Sequence, residues 1–241
     1  VAAARGWTEL EGVMYEEEKY SDGDSFRAKR NRSDYIFRLY FVDAPESDER
    51  FPDRNQEQAD YFGVTVEQAL KGGGLAAEFL HDLLEKEKTF TVYTRYSGAR
   101  GGSDQKRYYA MVKIGDRWLS ELLVENGFAR LHGVESELPD GTSSRIYWSR
   151  LRKLEREAKE AHRGLWGLAS GRGPQAAPRA ITLKAPTPIF HAQPPHRLAG
   201  TLPAGWEVTV GAPTRPGFRA VKFTSPAGNE FSGEIQESQL P

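Results

Sequence analysis

Apolar positions follow two different periods along this chain, and the change of period marks its elements. Tyr35–Val42 (YIFRLYFV) is an aromatic and β-branched run of strand length, preceded by the shorter and more polar Ser25–Arg30. Asn31-Arg32-Ser33-Asp34 between them predicts a turn. Two more strands are expected at Thr89–Arg95 and Arg107–Ile114, separated by the Gly-rich Ser97–Gln105. Elsewhere helical spacing takes over. Leu75, Phe79, Leu80 and Leu83 share one face of a helix, with Gly72-Gly73-Gly74 as the breaker ahead of it. Leu119–Asn126 predicts a short helix stopped by Gly127. Ser144 can cap another, whose apolar stripe is Tyr147, Leu151, Leu154, Ala158 and Ala161 and which Gly164 ends. Its other face carries Arg150, Arg152, Lys153, Arg156 and Lys159, and a solvated surface is the favoured reading of that charge.

Strands closing on themselves with helices outside predict a mainly β fold with α, a small barrel of the OB type. The pattern changes near residue 168. Gly171–Pro178 (GRGPQAAP) reads as linker, so the expected organisation is a first domain over 1–168, a linker over 169–180 and a second domain over 181–241. In the last of these, Trp206–Val210, Phe218–Phe223 and Asn229–Ile235 are short strand-like pieces that resemble a bacterial SH3-like barrel. It offers no catalytic constellation; a cell-wall or protein ligand is one expectation, a packing or substrate-positioning role another.

Composition narrows the chemistry. The chain has 241 residues and no cysteine, which excludes disulfides, Cys-ligated zinc, iron–sulfur clusters and thiol nucleophiles. No apolar run approaches the ~18 residues of a membrane helix. Residues 1–168 carry 26 Lys/Arg against 30 Asp/Glu, residues 169–241 carry 7 against 4, and −4 with +3 gives the net charge of −1. A domain holding nucleic acid by charge alone should be basic. Any such role here must rest on a local site helped by a cation. The chain opens on Val1 rather than Met, and export is expected: secreted or periplasmic over cytoplasmic. His81, His132, His162, His191 and His196 fall in no metal or nucleophile–base pattern, and no serine stands in a nucleophile elbow.

Two segments carry candidate chemistry. In Ser21-Asp22-Gly23-Asp24-Ser25 a turn feeds a strand; in Arg38–Glu46 (RLYFVDAPE) a strand ends in carboxylates. Each alone reads as an ordinary turn. Together they supply hard oxygen ligands for a divalent cation and a guanidinium for phosphate, the parts that phosphodiester cleavage needs. Asp24 and Asp43 can ligate a metal, Glu46 can hold or deprotonate a water, and Arg38 with a second arginine can neutralise charge on phosphate oxygens. Strict alternation would set Arg38 and Asp43 on opposite faces of one strand. They share a site only if Asp43 lies past the strand end or a bulge resets the register.

With these segments in view, the chain resembles the staphylococcal nuclease-like family. The matching text is Asp22-Gly23-Asp24-Ser25, Arg38–Glu46, Asn55-Gln56-Glu57-Gln58-Ala59, Arg107-Tyr108-Tyr109-Ala110, Leu122–Ala129 (LLVENGFA) and Gly164-Leu165-Trp166-Gly167. The pieces run in order from about Thr8 to Gly167. The resemblance implies a five-stranded OB-type barrel with three helices and Ca²⁺-dependent cleavage of DNA and RNA. It assigns the cation to Asp24, Asp43 and the Ala44 carbonyl, with Asp22 as an outer carboxylate. Glu46 falls on the family's water-activating glutamate, and Arg38 and Arg107 on its two phosphate arginines. Two departures touch nucleotide binding: Leu131-His132-Gly133-Val134-Glu135 lacks the family's tyrosines, and Asp104-Gln105 replace a lysine and a tyrosine. Extra sequence around Gly63–Gly74 reads as a tolerated surface insertion. The alternative from another class is a catalytically inactive module that binds nucleic acid or protein; the presence of Asp24, Arg38, Asp43, Glu46 and Arg107 together favours an enzyme.

Overall fold

The computed structural model describes residues 6–17, 23–99, 106–169, 179–192, 195–215, 217–226 and 228–240. Asp22, most of the linker stretch and residues 100–105 lie outside them. The chain divides into two compact units, Val1–Pro174 and Gln175–Pro241.

In the first unit, β1 (Thr8–Glu16), β2 (Ser25–Arg30) and β3 (Ser33–Leu39) form an antiparallel meander. The chain then passes through β4 (Val42–Asp43), α1 (Pro52–Phe62) and α2 (Val66–Glu87) before β5 (Phe90–Ala99) and β6 (Arg107–Ile114). β5 pairs with both β1 and β6, and β6 pairs in parallel with β3 through Phe37↔Tyr108, Arg38↔Tyr109 and Leu39↔Ala110. That last pairing closes a five-stranded barrel. Leu10, Val13, Phe26, Phe37, Leu39, Val92 and Val112 are all buried in its core, each worth roughly 1.5–3 kcal/mol of transfer free energy. β7 (Arg117–Trp118), α3 (Leu119–Glu125), β8 (Arg130–Leu131), α4 (Ser144–Glu160) and α5 (Leu165–Ala169) complete the unit. The described residues hold five helices rather than the three implied by the resemblance. No helix among them is long and apolar enough to cross a membrane.

The strand read as Tyr35–Val42 is two pieces. β3 starts at Ser33, so the preceding turn narrows to Asn31-Arg32, with Asn31 at φ 56°. It ends at Leu39, and Phe41 then takes φ 71°. β4 pairs instead with β8, as Val42↔Leu131 and Asp43↔Arg130. A left-handed phenylalanine is costly, and its fully buried ring, in edge contact with Tyr147 at 4.9 Å and Trp148 at 5.6 Å, holds it there. This break resets the alternation, so Arg38 and Asp43 meet.

Gly72-Gly73-Gly74 breaks nothing. α2 starts earlier, at a capping box in which Thr65 accepts from the Gln68 amide and Gln68 accepts from the Thr65 amide, and runs through all three glycines. Two of the three are close-approach positions. A Cβ on Gly72 would stand 2.6 Å from Leu165 Cδ2, and one on Gly73 only 2.2 Å from the Glu46 carbonyl oxygen. The stretch expected to be a surface insertion is therefore packed on the loop that carries Glu46. α3 and α4 follow their expected stripes, except that Ser143 is the N-cap of α4 and its last residue is Glu160. Arg150 pairs with Glu121 at 3.0 Å, Lys159 with Glu155 at 3.2 Å and Lys153 with Glu157 at 3.8 Å, as a solvated, ion-paired face requires.

In the second unit β9 (Arg179–Thr182), β10 (Thr187–Phe190), β11 (Leu198–Leu202), β12 (Glu207–Arg215), β13 (Phe218–Thr224) and β14 (Glu230–Gln236) form one sheet in the order β11-β10-β14-β13-β12-β9. Its core is Leu183, Ile189, Leu202, Val208, Val210, Val221 and Ile235.

The glycines of α2 give a paired expectation. Gly73→Ala should cost about 1–3 kcal/mol through forced displacement of the Glu46 loop. Gly74→Ala, with nothing within 4 Å of its Cβ, should stabilise by up to about 1 kcal/mol. Urea unfolding of the two variants checks the contrast; equal effects would contradict it.

Candidate active site

Gly23 and Asp24 lead into β2. A Cβ on Gly23 would sit 2.6 Å from Ala76 Cβ and 2.8 Å from Ala44 Cβ, so glycine there lets the two motif loops touch. Asp24 is buried. Ser25 Oγ donates to its Oδ1 at 3.0 Å, while the Ala44 amide at 3.1 Å and Arg38 Nη2 at 3.0 Å donate to Oδ2. Ser25 and Arg38 are register partners of β2 and β3, which sets Arg38 beside Asp24.

Asp43 is the hub. Its Oδ1 accepts from Arg38 Nη2 at 2.8 Å and from Arg54 Nη2 at 2.5 Å. Its Oδ2 accepts from Arg130 Nε at 2.8 Å and Gln58 Nε2 at 3.0 Å. Arg130 donates onward to Glu57 at 3.0 Å. Arg54 reaches from Asp43 to Glu46, with Nη1 at 3.0 Å from Glu46 Oε1. Gln58, fully buried, donates to the Ala44 carbonyl at 3.0 Å and accepts from the Glu46 amide at 3.0 Å. One α1 side chain thus fixes the Asp43–Glu46 loop at both ends.

Burial governs the charges. It pushes the Asp24 carboxyl above its ordinary range; Arg38 opposes that and the neighbouring Asp43 charge adds to it. Burial raises Asp43 too, but Arg54, Gln58, Arg130 and Arg38 together hold it below the usual carboxylate range. Asp43 is a compensated anion, Asp24 an under-compensated one.

Of the residues expected from the sequence, Asp24, Arg38, Asp43, Ala44 and Glu46 are joined in this one network. Arg107, buried, opens β6 two residues before Tyr109, the register partner of Arg38, so the two arginines belong to the same face of adjacent strands. Asp22 falls outside the described residues, as do Asp104 and Gln105. The stretch after β8 lacks tyrosine, but an aromatic reaches it from α4: Trp148 Nε1 donates to Glu135 at 2.6 Å.

Arg54, Glu57, Gln58 and Arg130 were missed as site residues. One signal for the arginines stands in the sequence and the other only in the structure. Arg130 is a lone charge flanked by Phe128-Ala129 and Leu131. Arg54 stands in the first turn of a helix, where the dipole disfavours a cation.

The donor set suits a hard divalent cation. Arg38 Nη2 donates to one oxygen from each of Asp24 and Asp43, at 3.0 and 2.8 Å, so those two oxygens face a common point. Calcium takes such oxygens at about 2.3–2.6 Å, and the Ala44 carbonyl lies next in the chain. Among the described residues no three His, Asp or Glu side chains gather as a metal cluster; guanidinium groups lie against these acids instead.

Residues 36–167 match the family model described as staphylococcal nuclease homologue. That is more than half of the 241 residues. The chain belongs to this nuclease family. No curated protein matches it. Arg38, Asp43, Glu46 and Arg107 fall within the matched residues, while Asp24 and the strands β1 and β2 precede them.

Arg130 tests the hub by stability rather than activity. Its side chain is 4% exposed, and removing it takes one guanidinium from a buried carboxylate and leaves Asp43 Oδ2 with Gln58 alone of these two donors. Arg130→Met should destabilise the first unit by about 3–5 kcal/mol, whereas Glu57→Gln, at the exposed end of the pair, should change stability by less than about 1 kcal/mol. Denaturant titration of both variants is the check, and comparable losses would contradict the arrangement.

Proposed function

We propose that the protein is a calcium-dependent nuclease that hydrolyses phosphodiester bonds of DNA or RNA. The observation that supports this most is the single hydrogen-bonded network joining Asp24, Arg38, Asp43 and Glu46. Asp24, Asp43 and the Ala44 carbonyl would hold the cation, with Asp22 the outer carboxylate that the family resemblance implies. When bound, the cation supplies Lewis-acid neutralisation of a phosphate oxygen.

The remaining steps belong to side chains. Glu46, beside Arg54 and with its amide held by Gln58, activates the water that attacks phosphorus. The new P–O bond forms as the bond to the leaving sugar oxygen breaks. Arg38 and Arg107 donate to the phosphate oxygens, where negative charge accumulates in the transition state. Their planar forks match two oxygens at once, which a lysine cannot do. The net charge of the chain is −1, so local cations rather than overall charge hold the substrate. We read the second unit as an SH3-like accessory for a cell-wall or protein ligand, supported by a groove lined by Trp206, Lys222, Phe223 and Phe231.

Glu46→Gln, Arg38→Lys and Arg107→Lys should each lower kcat by roughly a hundredfold or more with much smaller change in KM. Steady-state cleavage of a short fluorescent oligonucleotide in saturating calcium measures this, with folding verified for each variant. Calcium should support cleavage better than magnesium, which demands stricter octahedral geometry. Near-normal kcat in all three variants would replace the enzyme reading with that of an inactive binding module, and full activity in excess chelator would remove the metal from the mechanism.

A further inference from the structure

If the site holds a divalent cation, as proposed above, its charge balance creates a difficulty that one residue can resolve. Among the described residues four carboxylates, Asp24, Asp43, Glu46 and Glu57, are paired with three guanidiniums, Arg38, Arg54 and Arg130, and all three guanidiniums converge on Asp43. Both oxygens of Asp43 are already engaged. A divalent cation that takes Asp43 as a ligand is repelled by those guanidiniums unless one of them leaves. We propose that Arg54 is an exchangeable counter-ion: it neutralises Asp43 and Glu46 when no cation is bound, and it must release Asp43 for a cation to enter.

The three arginines are unequal in this respect. Arg130 is 4% exposed and held at both ends, by Asp43 and Glu57, so leaving would strand it and Asp43 alike. Arg38 is 11% exposed, rooted in the barrel strand β3, and bridges both acids through one nitrogen. Arg54 is 32% exposed and, among the described residues, makes its ion pairs only with the two site acids. It stands in the first turn of α1 after Pro52 and Asp53, where the helix dipole repels a cation. The helix dipole works against its position, and the two site carboxylates draw it in. Once a cation competes for Asp43 Oδ1, the side chain has solvent to move into.

Departure of Arg54 would leave the loop standing. Gln58, one helical turn further along α1, keeps its bonds to Asp43, the Ala44 carbonyl and the Glu46 amide, and Arg130 keeps Asp43 Oδ2. The two functions of α1 are therefore separable: Gln58 holds the geometry and Arg54 holds the charge. Arg54 is in this sense a positioning residue that sets cation affinity.

The test is calcium titration by isothermal calorimetry on the full chain, without substrate. Arg54→Met should bind calcium about tenfold tighter or more, since one competing positive charge is gone. Arg54→Lys, which keeps that charge, should stay close to the wild-type affinity. Circular dichroism verifies folding, and Arg54→Gln replaces the Met variant if that one is perturbed. Unchanged or weaker calcium binding in the charge-removing variant would overturn the exchange while leaving the metal site in place. Failure of every protein, wild type included, to bind calcium would overturn the metal reading and the exchange with it.

Discussion

A carboxylate taken out of water must be neutralised, and the design of this site follows from how Asp43 meets that demand. Burial alone would drive it toward its neutral form. Three guanidiniums and a buried amide keep it ionised instead. The four partners arrive from three elements: Arg38 from β3, Arg54 and Gln58 from α1, Arg130 from β8. The ion pairs thus tie barrel, helix and loop to one side chain. Such pairs contribute little net stability, but losing one partner leaves the others wrongly charged, so the network fixes a single arrangement.

Backbone geometry brings Asp43 to that point. Closure of the barrel through β3 and β6 sets Arg38 beside Tyr109, with Arg107 two residues before it. The left-handed Phe41 ends the strand and turns the chain onto β8. Its strain is held by aromatic packing against Tyr147 and Trp148 of α4. On the other side, Gly73 lets α2 press against the Glu46 carbonyl, and Gly23 lets the Asp24 turn press against Ala44 and Ala76. Helices outside the barrel therefore act on the chemistry through backbone contact.

Periodicity made much of this legible. The β2 and β6 strands and the α3 and α4 stripes lie where alternation and helical spacing set them, because each presents one face to the core, whereas β5 runs on to Ala99, past the expected end at Arg95. Asp24, Arg38, Asp43 and Glu46 could be read as a set because they sit in two short segments. Three features could not. β1 is a weakly alternating strand with a bulge between Leu10 and Val13, so its pattern is diluted. The three glycines of α2 look like a breaker because close helix–loop packing leaves no trace in hydrophobic spacing. Arg54, Gln58 and Arg130 act through long-range partners, up to 87 residues apart for Asp43 and Arg130, which local reading cannot pair.

Asp43 is central to both the charge balance and the proposed cation site, so its replacement tests the account most directly. The measurement is calcium binding by equilibrium dialysis to the wild type and to Asp43→Asn, an isosteric change that keeps the side-chain shape. The account predicts one calcium bound by the wild type and none by the variant at the same free concentration. Equal calcium binding by the two proteins would contradict it.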